Sequence, residues 1–522
     1  MSWLVAAPIL VPLSTAALCA LAWRSIPAQR GISLAGAVAL LLCAIGLLAQ
    51  VAGGVQVMQM GGWKAPFGIT LVADTLTAIM VLVTAIMAVA VAAYSLGDID
   101  PVRERNGFHP VFHALLVGVG GAFVTGDLFN MYVWFEAMLI SSFVLLALGG
   151  TKEQLDGAIK YAALNLIATA ALLLAVVLLY GLTGTLNMAE LARLVPQVQN
   201  QGTVTTVAVL FIIAFGMKAA VFPLFFWLPA SYHTPAVAVQ AIFAGLLTKV
   251  GVYALLRTFT LIFVGDTGWT HGGILLWIAG FTLVAGALGS LATKDLRKAL
   301  SWQVVAHIGY MVMGLALYTP LAIAGVVFYL VHDIVVKTNL FLGAGVARRL
   351  SGSSRYEGMG GLFRSAPILA LVMFVPLGSL AGFPPLSGFW SKLVLVQAGL
   401  AAQSWWIVAA ALVTALLTMM LAGRIWAEVV WKAHPAGDLA GLGGFSPGRR
   451  VALVAPLVAL SLVTVTIGVW PEPVMDLAGR AALGLLDPAP YIEAVLGAPA
   501  PQPTMVGELP VTPAAPGQGG AP

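Results

Sequence analysis

The chain has 522 residues, of which 60% are hydrophobic and only 9% charged, and its mean hydropathy is +0.99. No soluble domain of this size hides so much apolar surface, so the composition excludes one. The formal net charge of +5 does not point to nucleic acid, because the cations sit in short loops between apolar runs, where they set orientation.

Apolar runs of roughly 20 residues recur along nearly the whole length, each long enough to span a bilayer core. They do not alternate polar with apolar, as the strands of a membrane β-barrel would. The first run, Trp3 to Trp23, has no basic region before it and reads as a spanning helix rather than a cleaved signal peptide. In chain order the predicted spans are about 3–23, 31–50, 70–95, 109–125, 128–149, 157–181, 203–226, 236–261, 271–291, 300–317, 320–347, 366–398, 403–428 and 451–470. Connections are short, which predicts one compact bundle. Cys19 and Cys43 lie in apolar runs and read as buried thiols, not as a metal site or a disulfide framework. One short amphipathic helix is expected after Trp470. The Pro-, Ala- and Gly-rich tail from Gly497 is expected to be disordered.

Of the 25 Lys and Arg residues, all but eight fall in loops after odd-numbered spans. Four of the eight, Lys64, Arg193, Arg257 and Arg480, fall on the opposite side. By the positive-inside rule the odd loops are cytoplasmic and both termini lie outside.

The other four, Lys218, Lys249, Lys337 and Lys392, fall inside predicted spans. A lysine at the bilayer centre costs at least about 2.5 kcal/mol on insertion scales. Snorkelling is the ordinary escape. Lys249 and Lys337 are about eight and ten residues from the nearer span end, roughly 12 and 15 Å deep at the helical rise. That is too deep for snorkelling, and Lys218 is similar. Lys392 is nearer its helix end, so snorkelling stays open for it. Glu136 is the only glutamate well inside a span, and one structural ion pair is its plain alternative. In "VFYLVHDIVVKTNLFL", Asp333 and Lys337 are four apart and share a helix face, which allows a local pair. His332 points elsewhere. His307, in "SWQVVAHIGYMVMG", reads more readily as a satisfied core histidine. Together these groups form a row of buried sites whose charge depends on a neighbour, which is what proton conduction without a redox cofactor needs.

Two spans carry breaks. "FGMKAAVFPLFFWLP" holds Phe222-Pro223 after Lys218, and "LAGFPPLSGFWSKLVLV" holds Phe383-Pro384 before Lys392. The breaks lie in about the seventh and twelfth spans. Five is an odd number, so the two segments cross the membrane in opposite directions. Interrupted helices at matching positions of inverted repeats point to an ion pathway, and a packing kink is the alternative. No Cys cluster, haem motif or dinucleotide loop is present, so neither a cofactor nor a metal is expected.

From about residue 70 to about 430 the chain resembles the antiporter-like proton-channel family shared by Mrp-type cation/proton antiporters and respiratory complex I. The resemblance rests on "GDLFNMYVWFEAMLISSF", "FGMKAAVFPLFFWLPASYHTPAVAVQAIFAGLLTKVGVYALLR", "TKDLRKALSWQVVAHIGYMVMG" and "GFPPLSGFWSK". It implies an all-α polytopic membrane protein with about 14 transmembrane helices, including two inverted five-helix repeats, each with a broken helix. The expected divisions are 1–108 for the first three helices, 109–261 and 271–430 for the repeats, and 431–522 for the last helix and tail. The resemblance implies Glu136 and Lys218 as a modulating pair, Lys249 as a connecting residue, His332 with Lys337 as the central relay, and Lys392 as the terminal exchange group. Within the family, "GGWKAPFGITLVAD" and "APILVPL" are most similar to the D subunits of Mrp antiporters. The implied role is proton conduction in a bacterial cell membrane, exchanging protons for Na+ beside the other subunits of a hetero-oligomeric complex. The protein would be embedded in lipid and have no nucleic-acid partner. The alternative is a proton-pumping membrane subunit of complex I or a membrane hydrogenase. One such relative also has lysine at the position of Lys392.

Overall fold

The computed structural model describes residues 3–437, 439 and 441–497. Beyond Gly497 itself, the tail expected to be disordered lies outside the described residues. Among the described residues, eleven helices are long and apolar enough to cross a membrane, and three shorter apolar helices accompany them. Together they match the fourteen predicted spans one by one. With Ser387–Ala401 added, the helices in chain order are α1 (Ala7–Leu21), α2 (Ile26–Val51), α3 (Thr75–Asp98), α4 (Phe108–Val124), α5 (Leu128–Ala147), α6 (Lys152–Thr183), α7 (Gln201–Ala219), α8 (Val237–Leu261), α9 (Thr267–Ala292), α10 (Leu296–Leu317), α11 (Pro320–Ser351), α12 (Pro367–Ala381), α13 (Ser387–Ala401), α14 (Trp405–Trp431) and α15 (Pro447–Val469). The twelfth span is divided between α12 and α13.

Polar side chains start several helices by bonding their free N–H groups. Asp74 accepts from the Thr77 amide, Asp127 from Asn130, and Asp295 from Arg297 and Lys298. Thr151 and Gln154 form a reciprocal capping box on α6. Gly184 and Gly352, both left-handed, end α6 and α11. The apolar window of α8 is wholly buried, whereas only 33% of that of α2 is, so α8 runs through the centre and α2 lies at the periphery. α10 and α11 are also central. Cys19 is buried as expected, but Cys43 is only half-buried on α2.

Three expectations are corrected. The third span does not begin at residue 70. Thr70–Ala73 forms strand β2, paired antiparallel with β1 (Gln56–Gln59) in the register Gln56 to Ala73, and Asp74 then caps α3. The single helix expected after Trp470 is two, α16 (Glu472–Leu486) and α17 (Ala489–Leu496). Asp487 between them is extended, as a residue before proline tends to be. Arg257, counted among the cations of the outer side, lies inside α8 and is 3% exposed.

Both breaks are present. α7 stops at Ala219, Ala220 is left-handed, and the chain turns before a short helix at Trp227–Ser231. α12 stops at Ala381, Gly382 has φ 92°, and α13 starts after an extended Leu386. Gly388 lets the two halves of the second break meet. A Cβ there would run into the Ser379 carbonyl and come within 2.9 Å of the His332 ring.

Gly388→Ala is expected to lower stability by about 1–3 kcal/mol through overpacking. Gly423→Ala, with open space around it, is expected to be near neutral. Thermal unfolding of the detergent-purified protein checks the contrast.

Candidate functional site

Asp333, in the middle of α11, collects the deepest charges. Its Oδ2 is 2.7 Å from Lys249 Nζ of α8, and its Oδ1 is 2.7 Å from His307 Nδ1 of α10. All three side chains are fully buried. Lys249 donates its hydrogen bond to the Ala244 carbonyl at 2.6 Å. That carbonyl lies in a π-helical turn, Phe243–Leu247, whose wider winding loosens the normal helical pairing. The local Asp333–Lys337 pair allowed by spacing is not the one made. Helix spacing fixes a shared face, and here partners from α8 and α10 occupy both carboxylate oxygens. Lys337 Nζ is buried without a hydrogen-bond partner, within electrostatic reach of Asp333, Lys249 and Lys392.

The second break extends this cluster. Lys392 Nζ donates to the Leu380 carbonyl at 2.7 Å, one of the groups left free where α12 stops. His332 Nδ1 lies 2.9 Å from Ser387 Oγ, which lies 3.0 Å from Ser379 Oγ, so Ser387 meets the histidine and links it to the other half of the break. The Tyr310 ring sits 5.8 Å from Lys392 Nζ and stacks on Tyr329, whose ring edges contact His307 and His332. The Tyr329 hydroxyl, His307 Nε2, His332 Nε2 and Lys337 Nζ are all buried without a hydrogen-bond partner. A buried polar group left in that condition costs about 1–3 kcal/mol. Each belongs to a group that can take up or release a proton.

Glu136 and Lys218 form a separate arrangement. Lys218 Nζ donates to Thr169 Oγ1 at 2.9 Å and to the Asn165 carbonyl at 3.3 Å, both on α6, and lies 5.6 Å from the Phe135 ring centre. Glu136 acts on it through space, and Glu136 Oε1 is buried with no hydrogen bond. The end of α7 presses on α8. A Cβ at Gly251 would be 2.6 Å from the Ala219 nitrogen and 2.9 Å from the Lys218 carbonyl carbon. Thus Lys249, His332, Lys337 and Lys392 gather around Asp333, while Glu136 and Lys218 sit apart.

Sequence reasoning gave Asp333 and His307 too little weight. The available signal was a carboxylate and a histidine deep in neighbouring spans, out of reach of bulk water. It also missed Arg257, which makes a two-pronged bond to Asp74 at 2.6 and 2.9 Å between the rings of Tyr253 and Tyr491. Lys249, Tyr253 and Arg257 are spaced by four, on one face of α8.

A family model described as "NADH:quinone oxidoreductase/Mrp antiporter, TM" matches residues 125–418. The chain therefore belongs to this family of polytopic membrane proteins. Among its relatives, the D subunit of the Na(+)/H(+) antiporter of Alkalihalophilus pseudofirmus is 43% identical over 497 residues, covering 95% of this chain and all of that one. A chain in the structure of the Mrp complex from Dietzia sp. superposes with a TM-score of 0.86 at 32% identity, covering 95% of this chain and all of its own. A chain of the membrane-bound sulfane sulfur reductase, an archaeal respiratory membrane complex, superposes with a TM-score of 0.88 at 27% identity and the same coverage.

Removing one partner of a buried ion pair strands the other, so Lys249→Ala is expected to destabilise by about 3–5 kcal/mol. The double variant Lys249→Ala/Asp333→Ala is expected to recover much of that loss. Thermal unfolding of the purified variants measures it, and additive losses would contradict a direct pair.

Proposed function

We propose that this chain is the proton-conducting subunit of a multisubunit Na+/H+ antiporter in the cell membrane. In this reading protons move along buried Glu, Lys and His groups. The observation that carries it is the buried cluster in which Lys249, Lys337, Lys392, His307 and His332 all surround one carboxylate, Asp333. Adding or removing a proton at any member changes the charge felt by the rest. Glu136 tunes Lys218, Lys249 connects, His332 and Lys337 form the central relay, and Lys392 exchanges protons at the second break. Residues 109–261 and 271–430 act as two half-channels of opposite direction, with both termini outside. Membrane potential supplies about 2.3 kcal/mol per charge per 100 mV.

The superposition on a chain of the sulfane sulfur reductase supports a second reading, a subunit of a redox-driven pump. The two TM-scores are close, so the fold does not separate the readings. The higher identity to the D subunit of an antiporter, over nearly the whole chain, favours antiport.

Inverted vesicles carrying the assembled complex, with an acid-inside gradient and electron transfer blocked, test this. Adding sodium is expected to collapse the gradient, read with a pH dye. Silence towards sodium, together with acidification on adding an electron donor once the block is lifted, would favour the redox reading. Glu136→Ala or Lys218→Ala is expected to abolish the sodium response while leaving the complex assembled.

A further inference from the structure

A second concentration of charge lies outside the Asp333 cluster, at the ends of α3, α6, α8, α10 and α11. A cavity of about 730 Å³ opens there. Arg103, Lys152, Arg297, Arg348 and Arg349 line it, against only two carboxylates, Asp98 and Glu153. Asp98 is already engaged. One of its oxygens is held by Arg349, and the other accepts the Ala238 amide at 3.0 Å. Arg103 is held by Asp100 at 2.5 Å, but its Nε is buried without a partner. The Nε atoms of Arg297 and Arg349 are buried and unpartnered too. Arg348 repels Arg297 through space, while Asp295 and Glu153 attract it. Loop cations that only set membrane orientation have no reason to converge in this way with unsatisfied donors.

Arg103 also borders a second groove of about 540 Å³. Its wall is largely apolar, formed by Val102, Phe143, Val144, Ala147 and Leu148. Val102 and Phe143 are exposed. A polyanion site and an apolar groove therefore share one arginine. A soluble anion would use only the first. A phospholipid would use both, and basic pockets between helices on the cytoplasmic side suit anionic headgroups.

We propose that the cavity binds the phosphate-bearing headgroup of an anionic phospholipid, with Arg297 and Arg348 as its main donors and one acyl chain in the groove beside Phe143. Guanidinium groups meet phosphate oxygens in pairs. The bound phosphate relieves the repulsion between the two arginines and ties α10 to α11, the helices that carry His307 and Asp333.

The test uses the whole complex, purified in mild detergent, delipidated and titrated with phosphatidylglycerol, phosphatidylcholine or inorganic phosphate. Bound lipid is counted by native mass spectrometry. Phosphatidylglycerol is expected to bind well above phosphatidylcholine, and Arg297→Gln/Arg348→Gln to weaken it about tenfold or more. Arg480→Gln, far along the chain in α16, is expected to change nothing. Ala147→Trp fills the groove and leaves every guanidinium in place. It is expected to lose the lipid while inorganic phosphate still protects the complex against heat, so the proposal stays testable if the double variant does not fold. Equal binding of the two lipids, undiminished binding in both variants, or an acidic protein segment held there instead of lipid would overturn it.

Discussion

The buried contact between the Asp333 carboxylate and the Lys249 ammonium sets the terms for the middle of this protein. Neither group reaches water, and three helices contribute to it because His307 takes the second carboxylate oxygen. Taking two charges out of water costs several kcal/mol each, and an apolar replacement is often at least as stable. Stability is therefore a poor reason to keep such a pair, and proton handling in the proposed function is a better one. The π turn at Phe243–Leu247 fits the same logic. It departs from regular helical pairing at the carbonyl, that of Ala244, which accepts from Lys249.

The two broken helices solve one problem in two ways. Each break frees backbone carbonyls at a depth where lipid cannot satisfy them. At the second break Lys392, which follows the prolines, reaches back to the Leu380 carbonyl. At the first break the Trp227 indole N–H donates to the Met217 carbonyl at 2.9 Å. Lys218, which precedes its proline, turns instead to Asn165 and Thr169 on α6. The difference in sequence order, lysine before one break and after the other, thus becomes a difference in what holds each lysine. One is fixed by the break itself and one by a neighbouring helix.

Much of this was legible in the sequence, for simple reasons. Length and hydropathy mark bilayer spans, and prolines beside buried lysines mark the breaks. Depth alone separates Lys249 and Lys337 from snorkelling side chains. Other features depended on partners distant in the chain. Asp333 chooses Lys249 and His307 over its own-helix neighbour Lys337. Arg257 is buried because Asp74, 183 residues away, caps α3 and takes its guanidinium. The Thr70–Ala73 strand was hidden by an apolar run continuous with α3, although Asp74 is a readable cap. No composition rule announces the π turn.

The most direct test of the account is sodium-driven proton release from inverted vesicles carrying Asp333→Asn. The substitution keeps the side chain's size and removes only the charge that Lys249, His307 and Lys337 share. With assembly checked by copurification of the partner subunits, the account predicts a dye response no larger than in vesicles lacking the transporter. Exchange at the wild-type rate would show that protons do not depend on the Asp333 cluster.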